Sequence, residues 1–243
     1  MKQAFFLILM LTANGISLNG QSIIGLTGGY NNSVFFDKSE TPHYSGEYDS
    51  HPTYCITAFL KQRNHKNVNV GSEISFVNKV LDLKASYGGL GSQVVRKDHF
   101  KLNYLYVSIF PELSIGKSFM LNFSVGPAFG FLVNSDISGS SYSYDILGNH
   151  DSWTDEGSAN SDFNSFEVRL FASIGLEVPI KNKFKMTINN SYSKGISNIA
   201  DGGLGSYAEF LSTKDITLTL GVIYKLDKFT FLLLPKLKEH EKK

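Results

Sequence analysis

The stretch that decides the fold reads Leu121-Asn122-Phe123-Ser124-Val125-Gly126-Pro127-Ala128-Phe129-Gly130-Phe131. Its odd-numbered positions are apolar, and its even-numbered positions are small or polar. A repeat of two that persists over this length predicts a β-strand whose two faces meet different surroundings. The even-numbered face carries no charged side chain at all.

Seven further stretches alternate in the same way. They fall at residues 24–30, 54–60, 68–76, 100–115, 166–178, 184–192 and 216–226. Together with residues 121–131 they predict eight strands. Short polar turns at 61–66, 116–118 and 181–183 alternate with long links at 34–51, 79–97, 134–162 and 196–213. Outer-membrane barrels show this alternation, because their periplasmic turns are short and their outer loops are long.

Alternation alone does not say which face is outside. A soluble barrel of the lipocalin type also alternates, with its apolar side chains turned inward, and this alternative stays open at this point. The uncharged face of residues 121–131 favours the membrane, because a narrow lumen of eight strands requires small side chains. Aromatic residues also gather near the strand ends, as the girdles of membrane barrels do. They are Phe119, Phe184 and Tyr224 at one end and Tyr30, Tyr54, Phe76, Phe131, Phe166 and Tyr192 at the other. We therefore predict an all-β fold, an eight-stranded antiparallel up-and-down transmembrane β-barrel.

The two ends of the chain differ from its middle. Lys2, an apolar run at residues 4–13 and a small polar exit predict a signal peptide over residues 1–20. The barrel would then occupy residues 21–227 of the outer-membrane protein. Residues 228–243 form a C-terminal tail for which the barrel offers no obvious place.

Composition limits the possible functions. The net charge of the 243 residues is +1, which gives no reason to expect a nucleic-acid surface. A single cysteine, Cys55, rules out an internal disulfide framework. The segment His150-Asp151-Ser152 contains the residue types of a catalytic triad, but neighbours in a polar loop rarely have the geometry of one. The acidic residues of the same link match no EF-hand spacing. We predict no catalytic residue, no cofactor and no metal site, and no enzymatic activity.

Charged residues are also expected on the lumen face of the predicted strands. They are Glu73, Lys101, Glu112, Glu167, Arg169, Glu177 and Lys185. Charges enclosed in a barrel must pair or stay hydrated, because an unpaired buried charge costs several kcal/mol. A salt-bridged plug is the favoured interpretation, and a gated polar path is the alternative.

Two proline-containing segments, residues 106–113 and 125–131, resemble a known family. The chain resembles the PorT-like "outer membrane protein beta-barrel domain" family of small porin-like proteins. The resemblance implies the fold and the outer membrane, and hardly any specific activity. The segment around Thr219, Gly221, Tyr224 and Leu226 is similar to the terminal signal that the outer-membrane assembly machinery reads.

These observations predict a monomer in contact with outer-membrane lipid and with the assembly machinery, and no nucleic-acid partner. Its expected role is structural, adhesive or ligand-binding, through the long outer loops. A narrow channel for small solutes is one alternative, and a lipid-modifying barrel enzyme is another.

Overall fold

The computed structural model describes residues 21–37, 45–63, 67–89, 92–145, 147, 150–201 and 210–226. The predicted signal peptide and C-terminal tail lie outside these residues. The strands are β1 (Gln21–Asp37), β2 (Ser45–Arg63), β3 (Val68–Gly89), β4 (Ser92–Gly116), β5 (Met120–Asp145), β6 (His150–Ser158), β7 (Phe166–Lys181), β8 (Phe184–Gly195) and β9 (Leu211–Leu226). In the described ranges, no helix is long and apolar enough to cross a membrane.

Eight of these strands close into a ring. Each pairs antiparallel with its neighbours in the order β1-β2-β3-β4-β5-β7-β8-β9, and β9 returns to β1. On one edge of β5, residues Met120 to Phe131 pair with β7, whereas residues Asp136 to Tyr144 pair with β6. β6 therefore lies outside the ring, and the prediction of an eight-stranded antiparallel barrel is confirmed.

The rows of apolar side chains face away from the barrel axis. On β9, Ile216, Leu218, Leu220 and Val222 are all about half exposed, whereas Thr219 between them is buried. The other strands follow the same rule, with buried residues such as Asn122 on the lumen side. Apolar residues outside and polar residues inside are the reverse of a soluble barrel. The alternative of a soluble carrier is therefore wrong.

The strands are longer than the sequence predicted. The predicted link at 79–97 is mostly a hairpin of β3 and β4, and β6 forms within the predicted link at 134–162. In β3 the pattern reverses, because Leu81 and Leu83 are buried inside while Lys84 is exposed outside. The reversal follows from the surroundings, since the outer face meets water once the strand has left the hydrocarbon. We call residues 45–51, 80–89, 92–103, 132–145 and 150–158 the outer sheet.

Pro111 and Pro127 do not cause the bulges expected of prolines inside strands. The β4–β5 pairing pauses between the pairs Ser108–Ala128 and Glu112–Ser124, and it resumes in the same register. Both prolines fall in this one gap, so their missing N–H donors remove hydrogen bonds at a single place. Two other prolines do lie at register shifts, Pro52 between His51 and Cys55 and Pro179 between β7 and β8.

An apolar cap covers the outer end of the ring. The link between β6 and β7 and the link between β8 and β9 meet in an isolated bridge of Phe163 and Ala200. Phe163 is buried, and its ring packs edge-on against Phe100 at 5.3 Å between centroids. Buried Ala159 and Ile199 complete this cap, which rests on the inner face of the outer sheet.

Candidate functional site

Four buried charges form an upper ion cluster in the lumen, composed of Lys79, Glu167, Arg169 and Asp215. The Lys79 ammonium lies 3.0 Å from a Glu167 carboxylate oxygen and 3.5 Å from one of Asp215. Arg169 forms an ion pair with Asp215 through its guanidinium. The side chains of Lys79 and Glu167 are both 0% exposed. Two cations and two carboxylates therefore balance one another at this level of the barrel.

Hydroxyl groups and aromatic rings complete the upper ion cluster. Tyr106 and Thr213 donate hydrogen bonds to Glu167, the second at 2.7 Å. The Lys79 ammonium lies 4.9 Å from the ring centroid of Tyr104 and 5.2 Å from that of Tyr106. Cations at such distances are attracted by the electron-rich ring faces. These contacts fill the lumen around the charges.

A lower ion cluster lies towards the short turns. Lys61 bonds a Glu112 oxygen at 2.5 Å, and Lys185 bonds a Glu177 oxygen at 2.7 Å. Lys61 also approaches Glu177 to 3.9 Å, which links the two pairs. Asn122 donates a further hydrogen bond to Glu177 at 2.8 Å. Buried charges that are paired and hydrogen-bonded in this way form a firm obstruction.

A cavity of about 100 Å³ separates the two ion clusters. Glu73 and Cys55 are among the residues that line it, and Glu73 accepts a hydrogen bond of 2.9 Å from Ser108. The Nε and Nη2 atoms of Arg169 find no hydrogen-bond partner among the described residues. A cavity of this size and polarity can hold several water molecules. The lumen thus contains a polar cavity between two clusters of paired charges.

Of the seven charged residues predicted to face the lumen, six do so in the structure and one does not. Glu73, Glu112, Glu167, Arg169, Glu177 and Lys185 all lie in the lumen. Lys101 does not, because it is exposed on the outer face. In β4 it shares the odd positions of Leu105 and Ile109, so the alternation itself should have placed it outside.

Three members of the two ion clusters escaped the sequence analysis. They are Lys61, Lys79 and Asp215. Lys61 and Lys79 are the first residues of a predicted turn and a predicted link, and Asp215 directly precedes the predicted strand at 216–226. Extending the period of two by a few residues beyond each predicted strand would have placed all three on the inward face.

The residues of the predicted assembly signal lie on β9. Thr219 is buried on the lumen side, and Tyr224 packs its ring against Phe184 with 4.9 Å between centroids. Gly221 sits so close to β1 that a Cβ atom would meet the backbone of Leu26 and Thr27. This close approach gives Gly221 a structural role. Recognition of these residues and of Leu226 by the assembly machinery stays a prediction.

Aromatic side chains are exposed at the far end of the outer sheet. Tyr142 and Tyr144 are 46% and 45% exposed on one face of the β5–β6 hairpin, and Trp153, which pairs with Ser141, is 42% exposed on the other face. Leu147, in the turn between these strands, is exposed as well. We call these four residues the aromatic tip.

The candidate triad does not assemble in β6. His150, Asp151 and Ser152 are consecutive strand residues, so Asp151 points to the face opposite the other two. Within the described ranges no three His, Cys, Asp or Glu residues are grouped so as to hold a metal ion.

A cluster of two histidines and one carboxylate lies on the outside of the outer sheet. His51 Nε2 lies 2.7 Å from one oxygen of Asp82, and His99 Nδ1 lies 2.5 Å from the other. Partial burial raises the pKa of the Asp82 carboxyl, but the hydrogen bonds from His51 and His99 outweigh it and hold that pKa below its usual value. The three residues tie β2, β3 and β4 together beyond the membrane.

A closed ring of antiparallel strands with an apolar exterior and a polar interior defines a transmembrane β-barrel. The family model described as "Outer membrane protein beta-barrel domain" matches residues 17–201, and the chain belongs to this family. The family and the fold together place the protein in the outer membrane. The narrower PorT-like resemblance stays a prediction.

Solved structures of other outer-membrane proteins are similar to this chain. Ail of Yersinia pestis, in complex with a heparin analogue, is 14% identical, with a TM-score of 0.39 over 84% of this chain and 99% of that one. OprG of Pseudomonas aeruginosa is 10% identical, with a TM-score of 0.45 over 88% and 100%. Neisserial surface protein A is 9% identical, with a TM-score of 0.43 over 84% and 97%. No curated protein matches the sequence.

Proposed function

We propose that this barrel is a non-conducting anchor that presents the outer sheet to a protein partner, with the aromatic tip as its main contact. The observation that carries the proposal is the exposure of Tyr142, Tyr144 and Trp153 far from the membrane. Large aromatic side chains are enriched among the residues that dominate binding energy in interfaces. The adhesive or ligand-binding role expected from the sequence is thus proposed for the end of the β5–β6 hairpin, where each face carries exposed aromatic side chains.

The height of the aromatic tip separates it from lipid. Tyr142 lies eleven residues beyond Phe131, which belongs to the outer aromatic girdle of β5. At about 3.3 Å per residue and a tilt of about 40°, this corresponds to roughly 28 Å above the girdle. Lipid cannot cover side chains at that height. A group of exposed aromatic side chains in water that far from the bilayer supports an interaction site.

The chemistry around the aromatic tip suggests what kind of partner binds. Asp151, Asp155 and Glu156 lie on β6, and among the described strands β6 pairs on one side only, with β5. An unpaired edge can accept an extended segment as an additional strand. The carboxylates favour a segment that carries Lys or Arg, because complementary charge speeds encounter and fixes register. The proposed partner is therefore an extended, basic segment of another protein.

Selection from a random peptide library tests the proposal. The full barrel in lipid vesicles serves as bait, and the expected result is enrichment of basic peptides that contain hydrophobic residues. The double variant Tyr142→Ser/Trp153→Ser should lose this binding, whereas Ser140→Ala/Thr154→Ala in the same hairpin should keep it. If no peptides are enriched, or if the Tyr142→Ser/Trp153→Ser barrel retains them equally, the proposal is wrong.

The closed lumen argues against the alternative of a narrow solute channel. Ions would have to pass both ion clusters, and both are held by buried charge pairs. We expect planar bilayers that contain the full barrel to show no conductance steps. Regular steps from the unmodified protein would contradict the non-conducting part of the proposal. We also propose that the barrel acts as a monomer and has no catalytic role.

A further inference from the structure

Two lysines face each other across β8 and β9 just outside the predicted membrane span. Lys194 pairs with Lys214 in the antiparallel register, and both side chains are exposed on the outward face. The Lys214 ammonium lies 4.8 Å from the ring centroid of Phe36. No carboxylate among the described residues forms an ion pair with either lysine. Like charges directly opposite each other destabilise a sheet, so this arrangement calls for a compensating anion.

The position of these lysines coincides with the outer edge of the hydrocarbon. Lys194 lies ten residues beyond Phe184, whose ring contacts Tyr224 at the short-turn end. At about 3.3 Å per residue and a tilt of about 40°, the distance across the membrane is roughly 25 Å. This equals the height of the apolar band of such barrels. The ammonium groups therefore lie at the level of the outer lipid headgroups.

The neighbours of the lysine pair are apolar and exposed. In the registers of β7, β8, β9 and β1, Leu170 is opposite Lys194, and Val34 is opposite Lys214. Leu170 and Val34 are about half exposed, as is Tyr192 one row closer to the membrane centre. A binding partner that suits this surface must combine an anionic group with hydrocarbon. A phospholipid has both.

A second pair of facing lysines, in the outer sheet, differs because a carboxylate of the protein binds one of them. Lys84 and Lys97 are also directly opposite each other, on β3 and β4 in the outer sheet. There, Asp49 bonds the Lys84 ammonium at 2.9 Å and supplies the missing negative charge. The protein thus provides its own carboxylate where the sheet stands in water. Among the described residues it provides none at the membrane boundary.

We infer that Lys194 and Lys214 together bind the phosphate of one outer-leaflet lipid headgroup. Phosphate oxygens can accept hydrogen bonds from both ammonium groups, and their charge removes the repulsion between the lysines. The acyl chains would run down the wall past Leu170, Val34 and Tyr192. The lipid would fix the barrel vertically and would strengthen the pairing of β8 and β9.

Lipid retention by the full barrel in a neutral detergent tests this inference, with native mass spectrometry as the readout. Phosphatidic acid is compared with diacylglycerol of the same chains, and inorganic phosphate represents the free anion. We expect retention of one phosphatidic acid and none of diacylglycerol. The variant Lys194→Gln/Lys214→Gln should bind about 30-fold more weakly, because each lysine near an anionic surface contributes about 1 kcal/mol.

The matched control is Lys84→Gln/Lys97→Gln, which removes the other lysine pair and should leave lipid binding unchanged. Retention of the heat-sensitive shift in gel migration shows that each variant is folded. Equal lipid binding by the Lys194→Gln/Lys214→Gln barrel would overturn the inference. So would displacement of the lipid by an equal concentration of inorganic phosphate, since the site would then recognise the free anion.

Discussion

Replacing Lys79 with methionine tests whether the upper ion cluster holds the barrel together. Methionine is unbranched and only one atom shorter than lysine, and it removes the charge, which leaves Arg169 as the cation of the upper ion cluster beside Glu167 and Asp215. The lost contacts are the ion pairs at 3.0 Å and 3.5 Å and the hydrogen bond to Thr213 at 3.2 Å. Removing one partner of a buried ion pair typically costs about 3–5 kcal/mol.

We expect a loss of about 3 kcal/mol, at the lower end of this range, because Tyr106 and Thr213 still donate hydrogen bonds to Glu167. The assay is reversible unfolding in urea, with the barrel in lipid vesicles. Lys84→Met on the same strand is the control, since Lys84 forms an exposed pair with Asp49 and should contribute nothing measurable.

The double variant Lys79→Met/Glu167→Gln sharpens the test, because it removes one charge of each sign. Arg169 and Asp215 then remain as a balanced pair. The double variant should be less destabilised than the sum of the two single variants, by about 2 kcal/mol. A loss below about 1 kcal/mol for Lys79→Met, or simple additivity of the two changes, would refute the reasoning.

Three further predictions concern other parts of the molecule. Gly221→Ala should lower the midpoint of the heat-induced gel shift, because its Cβ would collide with the backbone of Thr27; an unchanged midpoint would show that the strands can separate freely. Phe163→Ala should destabilise the packing of the cap by about 3 kcal/mol. Protease should then cleave the β6–β7 link while the barrel itself stays resistant, and unchanged cleavage would contradict this. Hydrogen bonds from His51 and His99 hold the pKa of Asp82 in the folded protein below the usual carboxyl pKa of about 4. The ionised Asp82 carboxylate therefore contributes its full stabilisation above about pH 4, and this stabilisation is lost as the pH falls through the lowered pKa of the folded state. Between pH 6 and pH 3 the unmodified protein should therefore lose more thermal stability than Asp82→Asn, and equal losses would be evidence against the cluster.

The strands of the barrel could be predicted from the sequence because each strand shows the alternation of apolar and polar residues within its own segment. Lipid on one side and a narrow polar lumen on the other force a period of two, and the eight segments show it. The same rule predicts which face is outside, since the even positions of 121–131 are too small and too neutral to face water. The turns predicted at 116–118 and 181–183 lie within one residue of the turns in the structure, because short polar segments separate these strands.

The outer sheet could not be predicted from the same alternation. Beyond the membrane the apolar face turns inward, so residues such as Leu81 and Lys84 break the pattern that identified the strands. Lys79 still follows the period of two and was missed because the predicted strand ended at residue 76, although Lys79 belongs to the upper ion cluster. The cap also depends on a contact between two distant links, Phe163 and Ala200, which no local pattern reveals.

The orientation of the apolar rows is the central claim, and fluorescence quenching by lipids with brominated acyl chains tests it most directly. The chain contains one tryptophan, Trp153, which lies in the outer sheet. In vesicles the unmodified protein should be quenched by aqueous iodide and not by bromolipid. In the variant Trp153→Phe/Leu220→Trp, bromolipid should quench strongly and iodide should not. A tryptophan at position 220 that iodide reaches and bromolipid does not would contradict the account.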